Sequence, residues 1–183
     1  NHGGAYSGKA ARFWLDDCST VEVLDLTRAD PDLKGFDGGF VDNWAEGPRW
    51  GYVVPYSSDG VSTFGKVARF RLDDFSTVEV LDLTQTDPEL KGFRGGFTDG
   101  TYGYLVPHNH GGSHWCKAAR FRLDDFSTVA VLDLTQAAPA HKGFDGGLLD
   151  NRAAGPRWAT VVPSYRAPAS TSGKVSPLRT SHL

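Results

Sequence analysis

The sequence predicts an all-β chain of repeated four-stranded antiparallel units, and three observations carry that expectation. One stretch is written three times, as GKAARFWLDDCSTVEVLDLT at Gly8–Thr27, GKVARFRLDDFSTVEVLDLT at Gly65–Thr84 and CKAARFRLDDFSTVAVLDLT at Cys116–Thr135. A second unit, opening on Lys-Gly-Phe and a glycine pair and running into Val-Pro, recurs at Lys34–Tyr56, Lys91–His108 and Lys142–Ser164. Within both units the apolar residues alternate with a period of two, which is the strand period. Self-similarity at a fixed spacing means that each repeat is one supersecondary unit stacked on its neighbours.

The elements follow in order. In Val67–Leu72, Ala68, Phe70 and Leu72 share one face while Val67, Arg69 and Arg71 share the other. Asp73-Asp74-Phe75-Ser76 supplies turn residues, and the branched run Val78–Leu83 returns as a second strand. The other unit is also a hairpin: Phe93–Thr98, an Asp99-Gly100 turn, then Tyr102–Val106 closed by Pro107. With the glycine-pair hairpin as strands A and B and the other as C and D, residues 8–27 are a C–D half. Residues 34–84 and 91–135 are two complete units, and 142–164 is an A–B half. Gly173-Lys174-Val175 begins another C strand, but Ser176-Pro177 interrupts the pattern, so 176–183 is expected to be an irregular tail.

Phe13, Phe70 and Phe121 recur after 57 and then 51 residues, and loops absorb the difference. Four strands in roughly fifty residues is the size of a β-propeller blade. The chain then holds about three blades, with half-blades at both ends. Propellers typically have about four to eight blades. The ring is therefore expected to be closed by further chain or by oligomerisation, the A–B half of one copy completing the C–D half of another. Met is absent, including at position 1, and the chain starts inside a repeat, which favours a piece of a longer repeat protein.

The run DGTYGYLVP, followed in each repeat by a segment such as GKVARFRLDDFSTVEVLDL, resembles the YVTN-type propeller repeat. It also resembles tandem propeller repeats in proteins of unicellular algae and related protists. Kelch repeats are a second likeness because of the glycine pair, although Gly95-Gly96 opens strand A here rather than closing strand B. The resemblance covers Gly8–Pro163 and implies a fold. It implies no activity, since propellers serve as enzymes, lectins and scaffolds alike.

A net charge of −3 gives no electrostatic case for nucleic acid or an anionic membrane, and no apolar run approaches the roughly twenty residues of a membrane helix. Cys18 and Cys116 lie in different repeats at opposite strand ends and are expected to be free thiols. The repeated Arg12, Arg69 and Arg120, the Asp16, Asp25 and equivalent aspartates, and the repeated lysines read as framework, because what every blade carries serves what every blade needs.

Departures from the repeat are the candidates for function. His108, His110, His114 and Cys116 fall within nine residues of one B–C loop, and these residue types ligate zinc or copper. Tyr56, Phe64 and Trp115 are B–C loop aromatics able to stack on sugars or anchor a protein. Arg49 and Arg157 belong to a Gly-Pro-Arg-Trp loop present twice, a candidate contact surface. No G-x-S-x-G and no phosphate-cradling glycine loop occurs. The expected function is a non-catalytic propeller binding a protein or glycan, or serving as a subunit of a larger assembly. A metal-dependent lactonase or hydrolase is the alternative, and Ser181-His182-Leu183 resembles a variant of the S-K-L peroxisomal address.

Overall fold

Period-two segments bounded by Asp, Gly and Pro fold as short strands, β1 to β15. The computed structural model describes residues 6–42, 47–110, 113–114, 116–136, 143–150, 157–164 and 176–179, by backbone alone at 109–110, 113–114 and 176–179. Sheet I pairs β1 (Lys9–Phe13) with β2 (Val21–Asp25). Sheet II is the meander β3 (Phe36–Val41), β4 (Trp50–Pro55), β5 (Lys66–Arg71) and β6 (Val78–Asp82). Sheet III repeats it with β7 (Phe93–Thr98), β8 (Tyr102–Pro107), β11 (Lys117–Arg122) and β12 (Ala130–Asp133). Between β8 and β11 stands the two-residue hairpin β9 (Asn109–His110) and β10 (Ser113–His114). Sheet IV holds β13 (Phe144–Leu149), β14 (Trp158–Pro163) and β15 (Ser176–Arg179), and every pairing is antiparallel.

The expected irregular tail is corrected at one point. Ser176–Arg179 pairs with β14, Trp158 facing Arg179 and Val161 facing Ser176, in the register by which Trp50 faces Arg71 and Val53 faces Ala68. It is the C strand of the last unit. Pro177 is tolerated because β15 is an edge strand, where one missing N–H does not break a ladder. The edge of β14 on which a β1 from another copy was expected to dock is therefore taken.

Local chemistry repeats with the sheets. Asp25, Asp82 and Asp133 each accept from the N–H and hydroxyl of the Thr two residues on, capping a short 3-10 turn. In the C–D turns Asp17, Asp74 and Asp125 accept from the N–H of Ser19, Ser76 and Ser127. The residue between them, Cys18, Phe75 or Phe126, takes a positive φ of 56°, 50° or 50°. The two phenylalanines are held there by burial against Phe70 and Phe121, whereas Cys18 is exposed.

Three interlocks join successive sheets. The A strands β3, β7 and β13 lie side by side. Each carries a bulge at its glycine pair, and a β-carbon on Gly38 would sit 3.2 Å from the Gly95 Cα. The second interlock is an arginine. Arg12 of sheet I donates to the Leu72 carbonyl of sheet II and lies over Phe75; Arg69 of sheet II donates to the Leu123 carbonyl of sheet III and lies over Phe126. Each is anchored to a D-strand glutamate, Glu22 or Glu79. The third is a lysine: Lys66 bonds Asp30 and Asp32, and Lys117 bonds Asp87 and Glu89, in the connectors before the A strands. Apolar clusters fill the spaces between, the largest around Tyr52, Phe93, Phe121 and Phe126 between sheets II and III.

The lysine interlock sets an acid limit. The ammonium hydrogen bonds from Lys66 and Lys117, helped by the N–H groups of Asp32 and Glu89, hold the Asp30 and Asp87 carboxyls below the usual range. A carboxyl whose pKa is lowered by folding adds stability above its unfolded value, near 4, that is lost as pH falls through the folded value. Denaturation midpoints are expected to drop on acidification below about pH 4. In the double variant Asp30→Asn, Asp87→Asn that part of the drop should vanish; an unchanged acid slope would refute the assignment.

Candidate functional site

Meander topology sorts the connections to two ends of the sheets. D-to-A connectors and B–C loops share one end, while A–B and C–D turns share the other. At the connector end the second residue of each A strand reads Asp37, Arg94, Asp145. Because the A strands are neighbours, these three meet. Arg94 Nε donates to Asp37 Oδ2 at 2.7 Å and Nη1 to Asp145 Oδ1 at 3.0 Å. His108, which follows β8, is buried beside them: its Nδ1 lies 3.0 Å from the Phe144 carbonyl and 3.1 Å from Asp145 Oδ1, and its Nε2 3.4 Å from Arg94 Nη1. Arginine only donates, so Nε2 is the acceptor and the proton sits on Nδ1. Tyr56 packs on this imidazole at 5.6 Å and takes the Arg94 guanidinium on its ring at 5.5 Å. The arrangement couples three strands electrostatically and leaves both His108 nitrogens engaged.

The other sequence candidates separate. Phe64 packs edge-on against Phe36 and helps line a cavity of about 430 Å³ with Lys34, Lys66, Lys91 and Asp82. Cys116 stands where Gly8 and Gly65 have no room for a β-carbon, 2.0 and 2.1 Å from the Leu33 and Leu90 carbonyl oxygens. Its thiol is buried in an apolar cluster with Val106, Leu134, Phe144 and Val161. Trp115 and the side chains of His110 and His114 lie outside the described residues. Among the described residues no group of three His, Cys, Asp or Glu is placed to hold a metal ion. Arg49 is exposed and reaches Asp73 at 3.5 Å, within its own sheet. Arg157 instead crosses between sheets, donating to the Asp99 carbonyl at 3.3 Å.

The turn end holds the better ligand site. A cavity of about 410 Å³ opens between sheets II and III, lined by Pro48 and Trp50 from the Gly-Pro-Arg-Trp loop, by Asp42, and by Gly100, Thr101 and Asp124. Asp42 is buried and its N–H is fixed by the Trp50 carbonyl. Arg69 lies 4.3 Å from the Trp50 ring, which fixes the indole in place. Asp124 is held below the usual carboxylate range, at about 2, chiefly by the Arg122 guanidinium. It is therefore ionised at any ordinary pH, with both oxygens accepting from Arg122.

Sequence reasoning placed Trp50 in a candidate contact loop and Asp124 among framework residues; their meeting across two sheets has no signature along the chain. The Asp–Arg–Asp row does have one. Opposite charges alternating at a single repeat position mark neighbouring strands. No protein-family model matches the chain, and neither curated proteins nor solved structures give a match.

Proposed function

We propose that this protein is a non-catalytic scaffold of β-propeller type that binds a glycan in the cavity at Trp50. The propeller reading is supported by meandering antiparallel sheets packed in succession with their A strands side by side. Sheet I and the edge strand β15 then belong to incomplete blades.

The observation that carries the binding reading is the cavity's mixture of groups. A sugar offers an apolar ring face and a rim of hydroxyls. Trp50 and Pro48 answer the first, while the Asp42 and Asp124 carboxylates and the Thr101 hydroxyl answer the second. The metal-dependent hydrolase reading draws nothing comparable from the described residues, since His108 is engaged at both nitrogens and Cys116 is packed in the core.

Calorimetry against a panel of neutral oligosaccharides tests the proposal. Binding is expected, weakened about tenfold or more by Trp50→Ala and several-fold by Thr101→Val, since Thr101 is exposed and its change leaves the fold alone. Binding that survives both changes, or no binding across the panel, would move the function to a protein partner.

A further inference from the structure

Sheets II and III show what a complete unit places on a C strand, and sheet I lacks it. In sheet II β5 pairs with β4, and in sheet III β11 pairs with β8. Among the described residues β1 pairs with β2 alone, so its second edge carries unpaired backbone groups.

Two further features of the same slot are also unfilled. Phe70 and Phe121 rest on B-strand glycines: a β-carbon on Gly51 would lie 2.9 Å from the Phe70 ring, and one on Gly103 would lie 2.7 Å from that of Phe121. Those phenylalanines are 8% and 0% exposed, whereas their counterpart Phe13 is 57% exposed. The A strands β7 and β13 also each receive a ring from the sheet before them. Phe40 sits 2.9 Å from the β-carbon position of Gly96, and Phe97 sits 2.5 Å from that of Gly147. At the equivalent Gly39 the nearest atoms are backbone of its own sheet, Tyr52 O at 2.5 Å among them, and no ring of the described residues fills the seat.

We infer that the slot between the β1 edge and Gly39 is the docking site of an A–B hairpin of this same repeat. The occupant is a glycine-pair strand whose aromatic residue fills the Gly39 seat, turned into a strand whose glycine faces Phe13. Backbone pairing along β1 gives affinity, and the two glycine–aromatic fits give specificity. The last unit of a second copy is a poor donor. Its β14 carries Ala159 where sheets II and III carry Gly51 and Gly103, and its edge already holds β15. This site is independent of the Trp50 cavity.

The chain's own hairpin, as a labelled peptide of residues 34–55, is the probe. Saturable binding to the full chain is expected by fluorescence anisotropy. Gly51→Val in the peptide and Phe13→Asp in the chain should each weaken it about tenfold or more, since a crowded or lost fit at one contact is worth at least about that factor. Should the peptide self-associate, the same hairpin fused ahead of Asn1 through a Gly-Ser linker is read by hydrogen exchange, with protection expected at the amides of residues 9–15. Binding indifferent to both substitutions overturns the inference, as does an absence of both binding and protection.

Discussion

Phe121→Ala is expected to cost about 3–5 kcal/mol by chemical denaturation, the largest loss of any single core truncation in this chain. The ring is fully buried, with Phe126 at 5.5 Å, Tyr52 at 5.9 Å and Phe40 at 6.5 Å. Removing it leaves a cavity that three large rings cannot close together. It also frees Phe126, whose φ of 50° costs energy that only packing offsets. The repeat supplies its own control. Phe13→Ala removes the same residue type from the same position, but that ring is mostly exposed, so the change should lie within about 0.5 kcal/mol of zero. Equal losses at the two positions would mean that sheet I is covered in solution.

Arg69→Ala should cost about 2–4 kcal/mol, and Arg120→Ala under about 1 kcal/mol, although the two arginines occupy identical places in the repeat. Arg69 is buried, bonds the Leu123 carbonyl at 2.6 Å and lies between Trp50 and Phe126. Its loss strands a buried carbonyl and two ring faces. Arg120 has Ala130 opposite where Arg69 has Glu79, and its buried Nε has no partner among the described residues. It lies over the Tyr102 ring, 4.4 Å away, and interacts with the Tyr104 hydroxyl of its own sheet. Denaturation of both variants in parallel measures the difference, and comparable losses would show that the forward contact to Leu123 contributes nothing.

These contrasts mark how far the sequence was legible. Strand boundaries were, because period-two alternation and Asp, Gly and Pro punctuation are local. The framework role of the repeated Arg, Asp and Lys residues followed from repetition alone, and Arg12, Arg69, Lys66 and Lys117 do join one sheet to its neighbour. Pro177 misled because a proline's effect depends on whether its strand is central or at an edge, which no window around it reveals. The cavity at Trp50 was invisible for a related reason. Its walls come from an A–B loop of one unit and the A–B and C–D turns of the next, and only packing joins them. The Asp37, Arg94 and Asp145 row stood in plain text, but it reads as variation until the A strands are known to be neighbours.

The forward-reaching arginines have one more consequence. Each fastens its own sheet to the one that follows and to no other, so cohesion passes only between adjacent members, as in a row of coupled spins. Among the described residues sheet II is fastened in this way on both sides, by Arg12 and Arg69, and sheets I and III on one side each. Loss of order should therefore start at the ends and travel inward, with sheet II the last to melt.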